Sequence, residues 1–139
     1  MKYVTDGEDW LIRLDPGEEI VESITNFLGE THLKAGVISG IGSLNKLVLG
    51  YFEPVEKEYY TRELDGVFEI TNLSGNITLM DGEPYLHLHV TVSDTEYKAM
   101  GGHLDQGIVS ATAEITVRET KIKTNRIKHP EIGLNTLDL

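Results

Sequence analysis

Three histidines carry the most specific chemistry in this chain. His87 and His89 stand in the run YLHLHVTVSD, Tyr85 to Asp94, and His103 follows the pair Gly101 and Gly102. Leu86, Leu88, Val90 and Val92 alternate with His87, His89, Thr91 and Ser93, the period of a half-buried β-strand. Residues two apart on a strand project from one face, so both imidazoles point together. Two neighbouring imidazoles bind a divalent metal through neutral ring nitrogens once a third donor approaches. His103 is the candidate: Asp94 and Thr95 can turn the chain, Tyr97 to Met100 can return antiparallel, and the two glycines let the backbone bend. Three histidines and no fourth protein ligand would leave a zinc ion one open position, for water or a small anion. The same residues also suit a polar sheet face, or an ion that merely joins strands or subunits.

The elements that must position these side chains are mostly strands. Trp10, Ile12 and Leu14 alternate with Leu11, Arg13 and Asp15, which predicts a short strand, with Lys2 to Thr5 a second strand or an ordered arm. Asp15, Pro16 and Glu18 read as a helix start, with Asp15 as cap, Pro16 in the first turn and Glu18 as the reciprocal half of a capping box. Ile20, Val21, Ile24, Phe27 and Leu28 recur at helical spacing, and Gly29 is the expected stop. Lys34 to Phe52 reads as a strand, a turn near Ser43 to Lys46, and another strand. Gly36, Gly40 and Gly42 lack the spacing of a dinucleotide fingerprint and point instead to sheet bending or a close approach. Glu56 to Leu64 and Val67 to Leu73 are expected to form a hairpin about Asp65 and Gly66. Ser74 to Asn76 interrupt before Ile77 to Met80, Asp81 to Pro84 turn into the histidine strand, and Ile108 to Val117 forms another strand. Beyond Arg118 the apolar residues thin out, leaving a tail that can wrap the body or a neighbour through Ile132, Leu134 and Leu137. The sum is an α+β domain: a largely antiparallel β-sheet with one main N-terminal helix packed on it. Strands apolar on both faces exceed what one helix can cover, so homo-oligomerisation is expected.

The chain has 139 residues, 40% hydrophobic and 25% charged, which suits one domain with a sizeable core. It has no cysteine, so a metal must be held by imidazole or oxygen. No apolar run approaches the roughly 20 residues of a spanning helix, and MKYVTDGED lacks a signal peptide's apolar segment, so the cytoplasm is the expected compartment. The formal net charge of −11 opposes autonomous DNA binding. Lys121, Lys123, Arg126 and Lys128 form a local basic run, read as part of a solvated tail.

Five stretches taken together resemble a known family. SGIGS at Ser39 to Ser43, LVLGYF at Leu47 to Phe52, GVFEITNLSGNI at Gly66 to Ile77, YLHLHVTVSD, and GGHLDQGIVSATAEITV at Gly101 to Val117 are similar, in order and spacing, to the plant and prokaryote conserved (PPC) domain. The resemblance implies one domain over residues 1–139, with a core of about 8–117 and a C-terminal tail of 118–139, assembled as a homotrimer. It also implies that His87, His89 and His103 bind a divalent metal, with zinc the expected ion. Plant relatives join the domain to an AT-hook that enters the DNA minor groove, but no Arg-Gly-Arg core of such a hook occurs here. Their Gly-Arg-Phe-Glu-Ile-Leu motif is replaced by Gly66, Val67, Phe68, Glu69, Ile70 and Thr71, so the plant partner surface is not expected.

Three functions compete. The first is a metal-binding trimer with a small ligand or protein partner at the open position. The second is a DNA-associated transcriptional regulator or a protein-assembly module, whose DNA affinity would fall steeply with salt. The third is a metal-dependent hydrolase or lyase with Glu69, Glu83 or Asp105 as general base, to which no reaction can be assigned. The cupin pattern does not fit, since Glu96 follows His89 by too many residues. His32 and His129 are isolated and are not expected to take part.

Overall fold

The alternation of apolar and polar residues between Gly36 and Glu119 produces four long strands, and these carry the architecture. The computed structural model describes residues 1–139. The elements are β1 (Lys2–Thr5), β2 (Asp9–Leu14), α1 (Ile20–Thr31), β3 (Gly36–Glu53), β4 (Glu58–Met80), β5 (Glu83–Ser93), β6 (Ala99–Glu119), β7 (Arg126–Lys128) and β8 (Asn135–Leu137). The main sheet runs β1-β2-β6-β3-β4-β5 with every strand pair antiparallel, and β5 also pairs with β6. Strands β3 to β6 therefore close on themselves, which removes the free edge that β5 would otherwise present. The expected α+β class, with a mostly antiparallel sheet and one N-terminal helix, is what the chain forms. No helix is long and apolar enough to cross a membrane.

The helix buries Ile20, Ile24, Phe27 and Leu28 in one cluster with Ile12, Leu14, Leu44, Leu47, Leu73, Leu88, Leu104 and Ile115 from the sheet. Its ends differ from the expectation. Asp15 is not the cap: its carboxylate pairs with Arg13 at 3.1 Å, while Pro16 and Gly17 make a separate turn closed by Glu18 N donating to Asp15 O at 3.2 Å. Gly17 has φ +87°, the conformation a type II turn demands after proline. Glu19 caps instead, accepting from Val21 N at 3.1 Å and Glu22 N at 2.6 Å, and Gly107 N also donates to it at 2.8 Å. The capping carboxylate thus ties the helix start to β6. Gly29 lies inside the helix, which continues to Thr31 and ends on His32 in the left-handed conformation.

Two expected turns are absent, because β3 and β4 run straight through them. Ser43 to Lys46 lies within β3, where Asn45 is an extra residue between Leu44, paired to Val109, and Lys46, paired to Ile108. Asp65 and Gly66 form no hairpin: Lys46 faces Asp65 and Leu44 faces Phe68, so two residues of β4 oppose one of β3. That is a β-bulge, which bends a strand without reversing it. The β3–β4 reversal is at Pro54 to Lys57, between the paired Glu53 and Glu58. Ser74 to Asn76 do not interrupt β4 either. By contrast the turn expected over Asp81 to Pro84 does form, shortened to Asp81 and Gly82 with φ +54° and +84°, since Glu83 and Pro84 already pair with Met80 and Leu79.

The C-terminal segment is more ordered than its composition suggests. β7 and β8 pair as a small hairpin, held to β4 where Leu79 N donates to Thr124 O at 3.0 Å. Lys121, Lys123 and Lys128 are exposed as expected, but Arg126 is buried.

Candidate metal centre

The site follows from register. His87 pairs with Asn76 of β4, His89 pairs with Ser74, and across the other edge His89 lies directly opposite His103 of β6. Strand pairing, and not a bend at the glycines, therefore delivers His103. The glycines serve space: a Cβ at Gly101 would stand 2.4 Å from Val90 O, and one at Gly102 would stand 2.8 Å from Gly50 O. Neither side of β6 leaves room for a side chain at these two positions.

The ring centroids form a near-regular triangle, 5.1 Å from His87 to each of the others and 5.4 Å between His89 and His103. One nitrogen from each ring lies within 4.8 Å of the others. Nitrogens bound to one tetrahedral zinc ion sit about 3.3 Å apart, given bonds of about 2.0–2.1 Å. Rotation of the three side chains about their own bonds would have to close that gap. The donor set fits a metal on chemistry as well as distance. Burial first, then the charge of Arg126 and the other two imidazoles, hold the His87 ring down to about 4, and burial also lowers His103. Both are kept in the neutral, ligating form at neutral pH.

The three rings open onto a cavity of about 400 Å³, walled by Tyr51, Phe52, Tyr59, Tyr85 and Leu134, with Asp105, Arg126 and Asn135 as its other polar groups. Of the three carboxylates considered as bases, only Asp105 lines this cavity. Its Oδ2 accepts from the Tyr59 hydroxyl at 2.8 Å, and burial together with that bond raises the phenol well above its usual range. Glu69 is exposed opposite Ser93, and Glu83 sits at the β4–β5 turn. His32 ends the helix and His129 accepts from Glu131 N and Ile132 N, and the cluster of ring nitrogens is made by His87, His89 and His103.

Arg126 is the residue that sequence reasoning missed. It is only 7% exposed, and its Nε donates to Thr78 Oγ1 at 2.9 Å and its Nη1 to Asn135 O at 2.8 Å. Nη2 donates to Asn76 Oδ1 at 2.9 Å and meets His87 Nδ1 at 3.2 Å, while the guanidinium lies 5.0 Å over the Tyr85 ring. A guanidinium can only donate, so this contact makes His87 Nδ1 the acceptor. None of the chain's ion pairs includes Arg126.

A protein of Archaeoglobus fulgidus described as metal-containing is 33% identical, with a TM-score of 0.87 over 96% of this chain and 94% of that one. A candidate DNA-binding protein of Bacteroides thetaiotaomicron is 34% identical, with a TM-score of 0.95 over 99% of this chain and 96% of that one. Among curated sequences, the bifunctional protein GlmU of a Synechococcus strain is 33% identical over 125 residues, 88% of this chain but 19% of that protein. The chain thus spans about a fifth of the curated relatives it matches. The model of the Plants and Prokaryotes Conserved (PCC) domain matches residues 1–121, and the chain belongs to that family.

Proposed function

We propose that His87, His89 and His103 hold a divalent metal ion, zinc being the one their chemistry favours, in a domain that assembles as a homotrimer. The observation that carries the metal reading is the convergence of three ring nitrogens within 4.8 Å from strands that pair in fixed register. The metal-containing relative from A. fulgidus supports it. Three imidazole donors, with no carboxylate among them, would leave a bound ion one position for a further ligand, and the three rings open onto the cavity. The bound ion would act there as a Lewis acid. Among this chain's own residues, β5 and β6 orient the imidazoles, while Tyr59, edge-on to the His103 ring at 6.1 Å, is held beside it by its hydrogen bond to Asp105.

The test is metal analysis of untagged protein. Wild type retains about one divalent ion per chain, and the triple alanine variant at His87, His89 and His103 retains none. Protein that folds but takes up no divalent ion overturns the reading. A second reading, association with DNA, draws on the description of the B. thetaiotaomicron relative. The net charge of −11 weighs against it for this chain acting alone, since phosphate contacts need unpaired Lys and Arg.

A further inference from the structure

Arg126 is a buried cation with no anionic partner, and it lines the same cavity as the three histidines. Buried charges are normally paired, because an uncompensated one costs several kcal/mol. Here the guanidinium is held by neutral acceptors alone. Of its five N–H groups, four are engaged, by Thr78, Asn135, Asn76 and His87, which leaves one N–H on Nη1.

The contact with His87 cannot persist beside a metal. A neutral imidazole has one lone pair and one N–H. If the lone pair of Nδ1 goes to an ion, Arg126 loses its acceptor. If Nε2 ligates, Nδ1 must carry the proton and faces Arg126 donor to donor. Either way one Nη2 hydrogen is released. Together with the spare Nη1 hydrogen, that gives two donors, one on each terminal nitrogen, the number that a carboxylate takes in a forked pair.

We propose that Arg126, released from His87 when a metal binds, forms with the open side of the three-histidine cluster a site for the carboxylate of a small organic acid. This rests on the metal reading above. The walls select the rest of the ligand. Phe52, Tyr85 and Leu134 offer apolar surface, and about 400 Å³ is the size of a small-molecule site. Inorganic phosphate, with more oxygens than the released fork can serve, suits these walls less well. Arg126 lies past residue 121, where the family match ends, so the C-terminal hairpin supplies the arginine of this site.

The experiment is titration calorimetry of the full chain with benzoate, benzamide and inorganic phosphate, with and without zinc. Benzoate binds the zinc-loaded protein at least about tenfold more tightly than the metal-free protein, the worth of one charge-assisted hydrogen bond. Benzamide and phosphate bind at least about tenfold more weakly than benzoate. Arg126→Gln and Arg126→Lys both retain zinc and lose about tenfold or more in benzoate affinity, the lysine variant because it keeps the charge without the fork. Should these variants disturb the hairpin, the wild type alone decides: saturating benzoate raises zinc affinity by the same factor that zinc raises benzoate affinity. Equal benzoate affinity with and without zinc overturns the proposal, as does undiminished binding to both variants or equal binding of benzamide or phosphate. Zinc uptake with no benzoate binding sinks this site and leaves the metal centre standing; no zinc uptake sinks both.

Discussion

Among single residues, His87 has the most to say about how the three-histidine cluster behaves with no ion bound. Burial, the charge of Arg126 and the two neighbouring imidazoles lower its titration from 6.5 to about 4. The unfolded chain takes up that proton near 6.5 and the folded chain only near 4, so between these values the unfolded state holds more protons. Metal-free protein therefore loses stability as pH falls from 6.5 toward 4, while above 6.5 the contribution is constant. NMR titration of the metal-free protein is expected to place the His87 midpoint near 4, and Arg126→Gln is expected to raise it by removing a positive neighbour. A wild-type midpoint at or above 6 contradicts both the burial and the arginine contact. The histidines were legible in the sequence because a period of two needs no tertiary knowledge. Arg126 was not, since its partners Asn76 and Thr78 lie some 50 residues away and its basic neighbours resemble a solvated tail. Asp105 was legible only as one carboxylate among several, and it took the Tyr59 hydrogen bond across the sheet to single it out.

Elements set the precision with which these residues meet, and two glycines separate packing from propensity. Gly29 sits on the exposed face of α1 with nothing within 4 Å of an added Cβ. Gly29→Ala is therefore expected to stabilise the protein by about 0.5–1 kcal/mol, the ordinary gain in a helix interior. At Gly75 of β4, which pairs with Leu88 of β5, a Cβ would stand 2.1 Å from the carbonyl oxygen of His87. Backbone cannot yield as a flexible side chain does, so Gly75→Ala must push β5 away beside the Asn76–His87 pair. The expected cost is about 1–3 kcal/mol, accompanied by weaker zinc retention. Thermal melts and metal analysis of the two variants check this, and a neutral Gly75→Ala would show that the strands are not held so closely. The same crowding explains what the sequence misreported about element boundaries. Asp65 and Gly66 carry turn chemistry, yet β3 offers a continuous partner on both sides of them, and long-range pairing converts a reversal into a bulge. The helix start moved because Pro16 and Gly17 complete a turn of their own, and Glu19 gains a third donor, Gly107 N, that no local pattern reveals.

Across the whole molecule, the outer sheet face bears on assembly. Leu11 lies beside Thr116, which lies beside Ser39, and Val37 and Ile41 flank Ser39 two residues either way. Register therefore places Leu11, Val37 and Ile41 on one face, opposite the side that buries Ile12, Ile38 and Ile115, and they are 56%, 48% and 58% exposed. One helix covers the inner side only, and nothing in the single chain covers the other. A net charge of −11 keeps chains apart at long range, so an apolar patch that survives on so acidic a surface must gain more from burial than it loses to repulsion. Covering it with further copies of the chain gives the proposed trimer. Sedimentation equilibrium is expected to return three times the 15.5 kDa chain mass for wild type. Leu11→Glu combined with Ile41→Glu places two carboxylates on that face, and a buried unpaired carboxylate costs several kcal/mol, enough to lower association by about a thousandfold. That variant is expected to sediment as single chains while keeping wild-type β-sheet circular dichroism. A wild type that stays monomeric at millimolar concentration would remove the trimer. A double variant that remains fully trimeric would move the interface to another surface, such as the exposed Val55, Tyr59 and Tyr60 about the β3–β4 reversal.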